Sequence, residues 1–137
     1  MIPDARTLVV VADGHRARLL EQMRLDGPLH DRPDWLGGLK ERHAHSRKPA
    51  PHDGDANDKA ERAFIKDLAH HLEGVARDHA FDQLILIAPP RALGHLREDL
   101  PKALAGKVVG SNPHEWVDAP IMTLEDVVRA VRREMAS

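Results

Sequence analysis

The run Leu84–Ala88, "LILIA", most constrains what this chain can fold into. It is apolar at every position, so both faces of a strand there must be covered. Pro89-Pro90 follows at once and ends the strand. Pro90 suits the first turn of a helix, where its missing N–H is not needed. A second apolar run, Thr7–Ala12, reads as another buried strand. The chain therefore needs helical layers on a sheet rather than a one-sided meander.

The other elements follow from periodicity. Asp13-Gly14 between two apolar runs predicts a hairpin, with Gly14 supplying the positive φ of a tight turn. The returning strand is "HRARLLEQM", in which Ala17 and Leu19 alternate with Arg16 and Arg18. Leu20 breaks the alternation and predicts cover on both faces near that strand's end. A short third strand is expected near Pro28–Arg32, followed by a long loop over about 33–57. A helix is expected over Asp58–His79, capped by Asp55, Asn57 or Asp58, with Ala60, Phe64, Leu68, Leu72, Val75 and Ala76 on its apolar face. "RALGHLREDL" and "PKALAG" predict helical turns and "KVVGS" a strand. Thr123 is expected to cap a last helix with Leu124, Val127, Val128, Val131 and Met135 inside. The fold class is α/β, mixed α+β in layout: a mixed β-sheet that begins with an N-terminal hairpin, flanked by about three helices, in one domain over 1–137.

Composition narrows the chemistry. There is no Cys, which excludes disulfides, thiolate catalysis and Cys-based metal sites. The net charge of −2 argues against a general nucleic-acid coat but leaves room for a local basic patch. With Trp35, Trp116, Phe64 and Phe81 as the aromatic residues, there is hardly a platform for stacking bases. The apolar N-terminal run is too short for a signal or a membrane span, so a cytoplasmic protein with no membrane partner is expected.

The runs "VADGHRARLLE", "RHAHSRKPAPHDGDANDKAERAFIKDLAHHLE" and "LILIAPPRALGHLR" together resemble the bacterial host-attachment protein family. That family in turn is similar to the middle domain of archaeo-eukaryotic release factors. The resemblance spans nearly the whole chain and implies a mixed sheet with flanking helices. It also implies an indirect link to attachment to host cells, as a protein–protein adaptor. In release factors a Gly-Gly-Gln loop before the long helix promotes peptidyl-tRNA hydrolysis. Gly37-Gly38 fall in the corresponding stretch, and the third residue is Leu39, which has no amide. The resemblance thus implies the scaffold without the hydrolytic glutamine, and no catalytic residue is assigned.

The candidate RNA- and anion-binding loop contains Gly37, Gly38, Lys40, Arg42, His43, His45, Arg47 and Lys48, with Glu41 as the opposing acid. Phosphate contact requires charge and reach rather than a fixed fold. Ribosomal RNA is therefore an expected partner, and a solvated surface loop is the plain alternative. Secondary binding candidates are Asp13, Arg16 and Arg18 at the hairpin and Arg91 after the apolar strand, where α/β sheets build ligand crevices. Pro89 and Pro90 remove two N–H donors there, which makes a poor phosphate cradle. His43, His45 and His52 with Asp53 or Asp55 are weak as a metal set, and no metal or other cofactor is expected. Asp67 and His71, one helical turn apart, read as an acid–base pair or, more simply, as a surface contact. A hydrolase reading would have to use His43 or His45 in place of the absent glutamine. Oligomeric state is not legible.

Overall fold

This computed structural model describes residues 5–39 and 54–136. The elements are β1 (Thr7–Ala12), β2 (Ala17–Gln22), β3 (Leu29–Asp31), a 3-10 helix (Pro33–Leu36), α1 (Gly54–His79), β4 (Gln83–Ile87), α2 (Pro90–Asp99), α3 (Lys102–Ala105), β5 (Val108–Asn112) and α4 (Ile121–Ala136). They form a five-stranded mixed sheet in the order β3-β2-β1-β4-β5. The β1–β2 and β2–β3 pairs are antiparallel, and β1–β4 and β4–β5 are parallel. The expected mixed sheet with flanking helices is present, with four α-helices among the described residues.

Strand periodicity divides the core in two. Leu8, Val10, Ala12, Leu84, Leu86 and Ala88 face one side and pack with residues of α1, α2 and α3. Val9, Val11, Ile85 and Ile87 face the other and pack with Leu124, Val127, Val128 and Val131 of α4. Leu19 belongs to the first cluster and Leu20 to the second, so β2 is covered on both faces as its broken alternation predicts. Ala60 is exposed, unlike the rest of the expected α1 stripe. Ile65 and Ala69 are buried instead and widen that stripe. The side chain of Met135 lies outside the described residues.

Several boundaries differ from expectation for identifiable reasons. The hairpin connection is Asp13–Arg16, longer than a two-residue turn, and Gly14 does not take a positive φ. The Asp13 carboxylate instead accepts the His15 and Arg16 backbone N–H groups, each at 2.7 Å. The Glu61 side chain lies against Gly14, in the space that a Cβ would occupy, and would have to swing aside for a larger residue. Helix α1 begins at Gly54, before the capping residues expected from sequence. A first turn tolerates poor helix formers, because its N–H groups lack intrahelical partners in any case. Helix α4 begins at Ile121, so Thr123 lies within its first turn. Pro120 precedes it, and its carbonyl accepts from Leu124 N at 3.1 Å. The expected 33–57 loop is structured at both ends, by the 3-10 helix and by the start of α1.

Helix α1 ends on Ala80, a non-glycine residue at φ 53° whose N–H donates to Ala76 O at 2.8 Å. That left-handed step sets His79 and Phe81 beside Trp35, with ring centroids at 4.3 and 5.4 Å. An L side chain in this region costs about 1–2 kcal/mol. Ala80 is exposed, so glycine would lose no packing. Ala80→Gly is expected to raise unfolding stability by roughly 0.5–1 kcal/mol in urea denaturation. An unchanged or lowered midpoint would contradict the left-handed cap.

Candidate functional site

Two regions hold the residues singled out by sequence. The first is the stretch from Arg32 to Leu39. Arg32 lies over the Trp35 ring at 4.5 Å and pairs with Asp34 at 2.9 Å and Glu21 at 3.2 Å. His79 stacks on the same ring at an interplanar angle of 26°. His71 Nε2 donates to the Trp35 carbonyl at 2.6 Å. That bond gives His71 a positioning role that its spacing from Asp67 did not reveal. Trp35 and Leu36 are buried, and so is Leu39, at 2% exposure. Gly38 sits at φ +86°, a conformation that L side chains rarely adopt. Gly37 has ordinary backbone angles, and a Cβ there would meet nothing closer than 3.6 Å. Lys40, Arg42, His43, His45, Arg47 and Lys48 lie outside the described residues, as do His52, Asp53 and the side chain of Asp55.

The second region is the edge where β1, β4 and β5 reach their carboxyl ends. Asp13 and Arg16 do meet there, but with acidic partners from within the chain. Arg16 forms a two-pronged contact with Asp118, at 2.8 and 3.0 Å, and reaches Asp13 at 3.3 Å. The hydrogen bond from Arg16 holds the Asp118 carboxyl below the usual carboxylate range. Arg18 donates to the Val117 and Ala119 carbonyls at 3.1 and 2.6 Å and pairs with Asp31 at 2.9 Å. These two arginines therefore pin the segment before α4 onto the hairpin. Arg91 pairs with Asp58 at 3.0 Å, which raises its pKa further. Each of the three arginines is thus already engaged by a carboxylate.

Beside Arg91 lies a small cleft of about 80 Å³, lined by Gly14, Asp58, Glu61, Ile65, Pro89, Arg91, Ala92 and His95. His15 Nε2 stands 3.7 Å from Glu61 Oε1. His95 Nδ1 is buried without a hydrogen-bond partner among the described residues. Glu61, His15 and His95 were missed by sequence reasoning. The one available signal was helical spacing, which puts Glu61 three residues after Asp58 and His95 four after Arg91. Among the described residues no group of three or more His, Asp or Glu side chains could hold a metal ion. No helix among them is long and apolar enough to cross a membrane.

A family model described as bacterial archaeo-eukaryotic release factor family 12 matches residues 6–128. The chain belongs to that family. No curated protein matches it. In this family 12 member, the residue after the glycine pair is an apolar side chain buried with the core that also contains Trp35, Leu36, Leu68 and Leu72. The glycine pair therefore serves to turn Leu39 inward. Its two members are not equivalent: Gly38 is required by φ and Gly37 is not.

Gly38→Ala is expected to destabilise the protein by about 1–2 kcal/mol, and Gly37→Ala by under about 0.5 kcal/mol. Urea denaturation separates the two, and equal costs would contradict the asymmetry. In a carbon-detected NMR titration, Asp118 should protonate below the ordinary carboxylate range and return towards it in Arg16→Gln. The sign follows: a depressed folded-state pKa adds stability above the ordinary carboxylate range, and this is lost as pH falls through the folded value. An ordinary Asp118 titration in the parent protein would contradict the two-pronged contact.

Proposed function

We propose that this protein is a non-enzymatic binding module, built on a release-factor scaffold, that contacts ribosomal RNA through the basic stretch after Gly37-Gly38. The burial of Leu39 at 2% exposure carries the non-enzymatic half of this reading. Where the release-factor resemblance places a glutamine that serves hydrolysis, this chain has a side chain committed to its own interior. Lys40, Arg42, Arg47 and Lys48 then follow against a single acid, Glu41, which supports phosphate contact for the same stretch. Arg16, Arg18 and Arg91 are a weaker source of such contact, because displacing their carboxylates would break clamps that hold the fold.

Co-sedimentation with ribosomes from lysate, across a salt series, tests the reading. The parent protein is expected to move into ribosomal fractions at low salt and to leave them at high salt. Replacing Lys40, Arg42, Arg47 and Lys48 together by Gln should abolish this, lowering the log–log salt slope by roughly 3. Unchanged association of the four-fold variant would remove the stretch from the account. A nuclease-resistant protein partner and no ribosome association would favour instead the adaptor linked to host attachment.

A further inference from the structure

At the opposite edge of the sheet, where β1 and β4 begin, one charge has no carboxylate in direct contact among the described residues, and Asp26 across the neighbouring cleft is its counter-charge. Arg132 of α4 is half-buried and donates to Thr7 Oγ1 at 2.9 Å, Gln22 Oε1 at 2.6 Å and Gln83 Oε1 at 3.1 Å. All three acceptors are neutral. Among the described residues no carboxylate oxygen lies within 4.0 Å of this guanidinium. Burial lowers its pKa and outweighs the opposing charge of Asp26, the reverse of the trend at Arg16, Arg32 and Arg91. Its Nε is buried without an acceptor among the described residues, so three of five donors are used. As a clip between helix and strands, a neutral donor would serve as well and avoid the cost of desolvating a cation.

The charge borders a cleft. A cavity of about 220 Å³ opens between the β2–β3 turn and α4, lined in part by Gly27, Asp26, Glu125, Arg129, Arg132 and Arg133. Arg129, Arg132 and Arg133 are spaced i, i+3 and i+4, so they share one face of α4. Arg129 and Arg133 are exposed, and Arg129 is held at one end by Asp126 at 2.6 Å. Glu125 is committed to the backbone, accepting from Leu29 N at 2.9 Å. An anion entering here would meet a half-buried guanidinium beside two exposed ones, the forked donors that suit phosphate oxygens. Asp26 and Glu125 in the lining would repel an extended polyanion but leave room for a compact one.

We propose that this cleft binds a small phosphate-bearing ligand, with Arg132 as its fixed base and Arg129 and Arg133 closing on it. Its residues are distinct in sequence from the basic stretch after Gly38, and it does not depend on the RNA reading.

Isothermal titration calorimetry with inorganic phosphate and with adenosine 5′-monophosphate, at ionic strength balanced by sodium chloride, tests it. Saturable binding of at least one probe is expected. Arg129→Gln combined with Arg133→Gln changes only exposed side chains and should leave the fold intact. It is expected to weaken binding by at least about tenfold, as loss of charge-assisted hydrogen bonds does. Tighter binding of the nucleotide would mark a phosphate ester as the ligand, and equal or tighter binding of inorganic phosphate would mark the free ion. No saturable binding by the parent protein, or undiminished binding by the double variant, would overturn the proposal. The double variant should keep its ribosome co-sedimentation, which separates this site from the basic stretch.

Discussion

The rest of the structure depends on the parallel pairing of β1 with β4. Residues Thr7–Val11 run in register beside Gln83–Ile87, and the aliphatic residues of both strands are fully buried. Alternating side chains feed two separate cores, one under α1 and α2 and one under α4. Each fully buried Leu, Ile or Val contributes about 1.5–3 kcal/mol relative to exposure, so this pair supplies a substantial share of the apolar burial and touches both cores. It also fixes where polar chemistry can lie, because only the two ends of the strands reach water.

Those two ends are managed differently. At the carboxyl ends, arginines and carboxylates are matched: Arg16 with Asp118 and Asp13, Arg18 with Asp31, and Arg91 with Asp58. Exposed pairs of this kind contribute little energy individually. Their effect is geometric, since they tie residues distant in sequence onto the hairpin and onto α1. At the amino ends, Thr7, Gln22 and Gln83 gather around Arg132 with no carboxylate in contact. At the first edge the arginines contact carboxylates directly, while at the second Arg132 borders a cleft that Asp26 and Glu125 also line. Trp35, held between Arg32 and His79, fixes the 3-10 helix against the end of α1.

Much of the fold was legible in the sequence because it rests on local patterns. The unbroken apolar run of β4, the doubled leucines of β2 and the helical stripe of α4 each state a burial pattern directly. Boundaries were less legible where a distant group decides them. Gly14 looked like a residue chosen for its backbone angle, yet it takes no positive φ and instead lies against the Glu61 side chain from α1. The candidate site was less legible still, since it rests on contacts far apart in sequence. Nothing near Arg16 announces Asp118, nothing near Trp35 announces His71 and His79, and nothing near Arg132 announces Thr7 and Gln83. A basic residue read from sequence alone looks available for a ligand until its carboxylate partner is seen. The glycine pair could be read as half of a hydrolytic motif, and only burial of the next side chain gives it a structural role.

That burial is the centre of the account, and Leu39→Gln tests it most directly. A glutamine there would place an amide among apolar side chains without a designed partner, so urea denaturation should show a loss of about 2–5 kcal/mol. A variant as stable as the parent, within about 0.5 kcal/mol, would mean that position 39 faces solvent. Burial of Leu39 would then no longer support the non-enzymatic reading, which would lose the observation that carries it.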